Sequence, residues 1–419
     1  MAVAVVATVP ALALAQSVLP SVVSLRGLSL REAEVLAAER NRDVLAARRA
    51  IDQARADTIS AGAPPNPVLT LGAGMVNPQQ GLGKAAIPGG ARIEQLVERG
   101  NKRELRIESA KRLEDAVGAT LDDTLRQQRL AVASAYYDLK LAQDRVTIAR
   151  ELAELTSRTL RASETRLKAG DVAPADVARI RVDALRAEND ARAALAAVTD
   201  AQVVLAYLVA LQAEATALSA ADDWPPVEDG FTEATEAAIA RRPDVRAARA
   251  RIEAARVQRD LARALRTRDV TVGAGIDRYP PSDTNTLGTG TTVGVSVSVP
   301  LFLRYNFEGE IARAEANLLA AEEDLGRVEA VARADGARAL AALRSAAERR
   351  RRYEGELLAE ARKAADYAEL AYQKGATGIL ELLDARRTLR AVQVGGAEAR
   401  TEYAKALAAW RASVGDPAP

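Results

Sequence analysis

Residues 43–55 read DVLAARRAIDQAR and residues 244–256 read DVRAARARIEAAR, so one helix-like segment occurs twice, 201 positions apart. The same offset relates LTLGAG at 69–74 to VTVGAG at 270–275, which is a strand-like segment. A helix and a strand are therefore duplicated together. Two copies of about 200 residues predict a duplicated half-molecule rather than a solenoid of many short repeats.

The composition favours long helices and argues against catalysis. Charged residues make up 27% of the chain and aromatic residues 3%, and there is no histidine and no cysteine. This profile is typical of long helices with thin alanine-rich packing layers. Without imidazole or thiol groups, we expect no enzymatic activity, no catalytic residue, no metal site and no cofactor. The 58 basic and 57 acidic residues cancel, which leaves no basic field for nucleic acid.

The first residues have the form of an export signal. Residues 2–16, AVAVVATVPALALAQ, are an apolar run in which Ala13-Leu14-Ala15 gives the small-x-small pattern, the form that signal peptidase cleaves. The sequence predicts a signal peptide at residues 1–15. After it we find no run of 18 or more apolar residues, and therefore expect no membrane-spanning helix.

Four short segments alternate between apolar and small polar residues. The clearest runs from Thr292 to Val299, where valines alternate with Gly294, Ser296 and Ser298. Period-two alternation predicts strands, and runs of about nine to eleven residues match tilted strands that cross a membrane. The second segment is weaker because Arg92, Glu94 and Glu98 interrupt it. The predicted strands are about 67–76, 90–98, 269–278 and 291–301.

A long helical hairpin is predicted after each strand pair. No proline occurs in 89–173 or in 301–416, so helices can continue unbroken there. Glycine-bearing turns end each run, at tips of about 168–174 and 373–378, where glycine provides a left-handed helix cap. The tips are 205 residues apart, four more than the strands, which suggests that the second copy gained about one helical turn.

These elements define the domain organisation. The first repeat comprises residues 16–210 and the second comprises residues 230–419, with a non-periodic linker at 211–229 that contains Trp224-Pro225-Pro226. Each repeat holds one strand pair followed by one hairpin.

Three motifs mark the tips and one strand-to-helix junction. Residues 371–375 read AYQKG and are followed by ILELLDA at 379–385. Residues 166–170, RLKAG, are the first-repeat version, and VPLF stands at 299–302. In order and spacing these motifs resemble the TolC-like outer-membrane efflux protein family, in particular its heavy-metal (CzcC-like) branch, over nearly the whole mature chain.

The resemblance implies a mainly α fold with membrane β-strands. In that family a homotrimer forms one twelve-stranded β-barrel, continuous with a periplasmic α-helical barrel, and each protomer gives four strands. It implies a passive channel in the outer membrane of a Gram-negative bacterium, with a large periplasmic portion. The implied partners are a periplasmic adaptor and an inner-membrane resistance-nodulation-division pump. Heavy-metal cations are the implied substrate, with drug efflux and type I protein secretion as alternatives.

The resemblance also points to site residues. Glu381 and Asp384 are three apart at the start of the last helix and share a face. With Asp176 of the first repeat, they lie where the family narrows its periplasmic entrance, and threefold symmetry would make carboxylate rings that select cations. Acids in a first turn also complement the helix dipole, and this alternative stays open. The adaptor-docking tips are Leu167, Gly170, Tyr372 and Gly375.

Two other classes of protein remain as alternatives. A periplasmic adaptor carries a long helical hairpin, but as one hairpin between β-rich halves. A coiled-coil scaffold explains the helices and the balanced charge, but it leaves the four strands and the export signal without a role.

Overall fold

The computed structural model describes residues 26–73, 89–279 and 290–414. The predicted signal peptide at 1–15 lies outside the described residues. The helices are α1 (Leu30–Arg40), α2 (Arg42–Gly62), α3 (Lys102–Lys168), α4 (Pro174–Leu208), α5 (Glu236–Arg241), α6 (Pro243–Ala264), α7 (Glu308–Arg352), α8 (Leu358–Gln373) and α9 (Ile379–Val414). The strands are β1 (Arg26–Leu28), β2 (Val68–Ala73), β3 (Gly89–Val97), β4 (Ser219–Ala220), β5 (Val270–Tyr279) and β6 (Gly290–Ser298).

The two hairpins have nearly equal outgoing arms. In the first repeat α3 runs for 67 residues, which at about 1.5 Å per residue is on the order of 100 Å. In the second repeat α7 continues through one π-helical turn, Tyr353–Leu357, into α8. The predicted mainly α fold, with a duplicated strand pair and long hairpin, is confirmed.

The extra residues of the second copy do not form a helical turn, so that sequence interpretation is wrong. Four residues, 98–101, separate β3 from α3, whereas nine residues, 299–307, separate β6 from α7. The second arm has 66 residues against 67 in the first, so five added junction residues shift the second tip by four. The second repeat therefore carries a longer strand-to-helix junction.

The sheet has strand order β2-β3-β5-β6, and every neighbouring pair is antiparallel. Its register aligns Leu69 with Ile93, Ile93 with Ala274 and Ala274 with Val295. One face is consequently apolar. The large side chains exposed on it are Leu69, Leu71, Ile93, Val272, Ile276, Val293, Val295 and Val297.

Arg92 and Glu94, which interrupt the apolar alternation in the sequence, both lie on the opposite, polar face of the sheet. Register places Arg92 beside Gly275 and Glu94 beside Gly273. A Cβ atom on Gly273 would lie 3.1 Å from Glu94 Cγ and 2.6 Å from Ser296 Oγ. These glycines leave room for the two charged side chains to lie across the sheet. The charges of β3 thus lie on the side away from the valines of β5 and β6, whereas Gln95 and Leu96 reverse the alternation and pair with Val272 and Thr271.

The main packing cluster lies about midway along α3, where the repeats meet. Leu28, Tyr136, Leu139 and Leu205 are fully buried in it. The Tyr136 hydroxyl donates a hydrogen bond to the Leu28 carbonyl (3.0 Å) and accepts one from the Asp222 amide (3.0 Å). The first described strand and the linker are thereby fixed to α3.

The linker has more structure than its sequence suggested. It forms a short 3-10 helix, Gln212–Ala217, and the strand β4, which pairs in parallel with β1. A two-residue strand is too short to show a period, so sequence patterning could not reveal it.

Among the described residues, helix α4 alone is long and apolar enough, by length and composition, to be a candidate for crossing a membrane. Little of its apolar part is buried within the chain. A search for uninterrupted apolar runs does not select α4, because Arg192 and Asp200 interrupt its alanines, valines and leucines. Length and composition alone do not test the expectation that no helix spans the membrane.

Candidate functional site

The two hairpin tips have the same backbone geometry. Gly170 (φ +84°) and Gly375 (φ +71°) both lie in the left-handed region. In the first tip the Asp171 amide donates to the Arg166 carbonyl (3.0 Å), and in the second the Ala376 amide donates to that of Ala371 (2.9 Å). These are the hydrogen bonds of a Schellman motif, in which glycine ends the helix.

Both tips pack together within one chain. Ile180 of α4 is buried against Ile379, Leu382 and Leu383 of α9. Tyr372, predicted to dock an adaptor, is partly buried against this cluster, and the Arg166 guanidinium lies 6.0 Å from its ring centroid. Leu167 is half-buried, while both glycines are exposed. Tyr372 therefore joins the hairpins, and the two glycine turns form the free ends.

The predicted constriction acids lie on the surface of this cluster. Glu381 and Asp384 are exposed, with the buried Leu382 and Leu383 between them. A Cβ atom on Gly378 would lie 3.2 Å from Glu381 Oε2, so this carboxylate folds back over the start of α9. Asp176, their first-repeat counterpart, forms an ion pair with Arg179 (3.3 Å). At the start of its returning helix, the second repeat thus exposes two carboxylates, whereas the first repeat has one carboxylate in an ion pair.

Arginines of α9 hold the helices around the tips, and sequence reasoning did not find them. Arg386 is 5% exposed and reaches two helices, α3 through Thr159 Oγ1 (Nη1–Oγ1 3.0 Å) and α8 through Glu369. Two further pairs join α9 to α4, namely Arg387–Asp183 and Arg390–Asp190, both at 2.6 Å. The only sequence signal was the seven-residue spacing of the two aspartates.

No group of three or more acidic side chains is arranged to hold a metal ion in the described parts of the chain. The polar groups near the tips are paired charges and exposed carboxylates. Their arrangement can attract and repel ions.

This architecture matches a known family. The family model of the outer membrane efflux protein matches residues 35–211 and 234–416, one match in each repeat. The chain belongs to this family. The resemblance found in the sequence is thereby confirmed, and the efflux protein is an outer-membrane channel.

Relatives of the efflux protein support the assignment. It is 27% identical over 369 residues to the cobalt-zinc-cadmium resistance protein CzcC of Cupriavidus metallidurans, over 86% of this chain and 84% of CzcC. Its structure is similar to that of the outer-membrane channel OprN (TM-score 0.76, 22% identity, 93% of this chain and 90% of OprN). It is also similar to the outer membrane protein VceC of Vibrio cholerae (TM-score 0.73, 19% identity, 92% and 96%). These two structures share its fold.

Membership of the family also indicates the setting in which the efflux protein works. Family members act in tripartite efflux systems with an adaptor and an inner-membrane pump. Their activity is transport.

Proposed function

We propose that three copies of the efflux protein close one β-barrel and one helical tunnel, through which substrates leave the cell passively and without chemistry. The main support for this proposal is the exposed four-stranded sheet. Its apolar face is exposed, and among the described residues its outer strands, β2 and β6, each have one neighbour. Unpaired backbone groups are costly in a bilayer, and closure across copies would pair them.

Helix α4 supports the same assembly. Its exposed apolar residues include Val182, Leu185, Val203 and Tyr207. At 100° per residue these four positions fall on one side of the helix. A neighbouring copy packed against α4 would cover these four side chains. This would explain why α4 is apolar although little of it is buried within a single chain.

In this assembly the sheet spans the outer membrane and the hairpins extend into the periplasm. The mature chain begins near Gln16, and the two repeats, 16–210 and 230–419, contribute similar hairpins on either side of the linker. The glycine tips at Gly170 and Gly375 face the periplasmic adaptor, which connects the channel to a resistance-nodulation-division pump.

The assembly can be tested by fractionation. We expect the protein in the outer membrane as a detergent-stable trimer, because four strands from one chain cannot close a barrel. Cross-linking and light scattering of the solubilised protein measure the copy number. A monodisperse soluble monomer recovered from the periplasm would contradict the proposal.

Divalent metal cations are the substrates that we propose. The support is the likeness to CzcC, which is by its name a cobalt-zinc-cadmium resistance protein. A strain that lacks the efflux protein should lose tolerance to cobalt, zinc or cadmium salts and regain it with the gene on a plasmid. Unchanged metal tolerance with lowered drug tolerance would instead support drug efflux.

Adaptor docking at the tips leads to a further prediction. Replacing Gly170 and Gly375 together by valine should strain both left-handed caps by about 1–2 kcal/mol each and weaken adaptor cross-linking. A Cβ atom at either glycine meets no other atom within 4 Å, so the strain is confined to the turn.

Gly326→Val is the matched control, since a Cβ atom there also meets nothing within 4 Å and the residue lies in α7, far from the tips. Unchanged cross-linking and efflux in the double variant would rule out the tips as the docking site.

A further inference from the structure

The longer junction of the second repeat is a loop with exposed apolar side chains. We call residues 299–307 the junction loop. Leu301, Leu303 and Tyr305 are 65%, 83% and 51% exposed. Glu98, Arg99, Gly100 and Asn101 fill the equivalent place in the first repeat, where the chain is polar. Joining a strand to a helix therefore does not require these leucines.

The exposed leucines continue the apolar face of β6. Along this strand the exposed positions are Val293 (78%), Val295 (86%) and Val297 (68%), and Val299 follows at 39%. Leu301 and Leu303 follow at the same spacing in the sequence, and a hydrogen bond from the Leu303 amide to the Leu301 carbonyl (3.0 Å) turns the chain there. The apolar surface thus extends past the sheet at the end where α7 begins.

The junction loop is held in place by its own contacts. The Phe302 and Phe307 rings meet edge to face with centroids 5.1 Å apart, and the Arg268 guanidinium lies 5.8 Å from the Phe302 centroid. The Arg266 side chain donates from Nε to the Asn306 carbonyl (3.2 Å). A loop fixed in this way exposes its leucines at little further entropic cost.

The first-repeat junction is fixed by charges instead. Lys102, 6% exposed, pairs with Asp269 (2.8 Å), and Arg106 Nη2 donates to Glu98 Oε2 (2.7 Å). The hydrogen bonds from Arg106 hold the pKa of Glu98 below its usual range. The two repeats therefore differ in chemistry at the same level of the molecule, one junction polar and the other apolar.

We propose that the junction loop anchors the channel in the periplasmic leaflet of the outer membrane, with Leu301 and Leu303 among the phospholipid chains and Arg304 at the phosphates. This rests on the proposed barrel, because the lipid-facing side of β6 leads directly into the loop. Leucine beside a basic residue is the combination that binds a phospholipid surface. Each trimer would carry three such anchors, alternating with three polar junctions.

The chain has no cysteine, so single-cysteine variants can carry an environment-sensitive NBD dye. The test position is Leu303→Cys. Val295→Cys on β6 is the control for lipid contact. Leu319→Cys is the control for water, because Leu319 is 60% exposed on α7 and lies about 16 Å along the helix from Glu308.

The labelled proteins are reconstituted in phosphatidylethanolamine–phosphatidylglycerol vesicles and quenched with nitroxide-labelled lipid or with aqueous iodide. We expect nitroxide lipid to quench the dye at 303 and at 295 at least about twofold more than at 319, and iodide to quench mainly at 319.

If position 303 behaves like 319 while 295 is lipid-quenched, the barrel stands and the anchor is wrong. Shielding of 303 from both quenchers would place it against protein, which also overturns the anchor. Absence of lipid quenching at 295 would overturn the barrel itself, and the anchor with it.

Discussion

Replacing Arg386 by alanine should weaken the packing of the hairpin tips by about 2–3 kcal/mol, through the lost packing and hydrogen bonds of a buried guanidinium, since its partner Glu369 is itself 37% exposed. The side chain is 5% exposed and connects α9 to Thr159 of α3 and Glu369 of α8. Its loss leaves Glu369 without this partner and opens space between three helices. Amide hydrogen exchange at the tips, followed by mass spectrometry of the solubilised protein, should accelerate on the order of a hundredfold, since each 1.4 kcal/mol is tenfold.

Arg390→Ala is the matched control on the same helix. Its ion pair with Asp190 is also short, at 2.6 Å, but the two side chains are 36% and 42% exposed. Exposed pairs contribute at most about 1 kcal/mol, so exchange at the tips should change less than about fivefold. Equal acceleration in the two variants would show that burial of Arg386 is not what holds the tips together.

Neutralising Glu381 and Asp384 together, as Glu381→Gln with Asp384→Asn, should weaken block of the pore by divalent cations by about tenfold or more. Both carboxylates are exposed, and three copies would place six negative charges around one entrance. Folding should be unaffected because neither side chain is buried. Single-channel recordings with increasing divalent cation measure the block.

Asp176→Asn serves as the control for this second prediction. Asp176 is already paired with Arg179, so its neutralisation should change block by less than about threefold. If the double variant is blocked as strongly as the parent, Glu381 and Asp384 are acids that complement the start of α9, and the constriction lies elsewhere.

The repeat architecture could be predicted because its signals are local. Two long proline-free stretches predicted the long helices of the hairpins, and small residues alternating with valine predicted the strands of the sheet. The order of the strands was harder to predict, since pairing of β3 with β5 joins residues 173 to 189 positions apart. The sheet register also explained why Arg92 and Glu94 can lie within a strand. Each faces a glycine of the neighbouring strand, which the sequence of β3 alone does not reveal.

The site was predicted less completely. Glycine at both tips is visible in the sequence because a left-handed cap requires it. The partners of Arg386 are not visible, because one arginine among many on a charged helix has no pattern that marks it as buried. Tyr372 was assigned to docking by its motif, and this stays a prediction; the structure adds that it is partly buried among residues of both hairpins.

The junction where the repeats differ shows where a duplicated gene of this kind can change length. Five residues added within a helix would rotate everything beyond them by about 140°. The same odd number added within a strand would exchange its two faces. Between β6 and α7 the addition does neither, since Asn101 and Phe307 begin their helices with the same left-handed backbone. After the duplication the two halves could diverge at this point while each retained the ancestral alignment of its strands and helices.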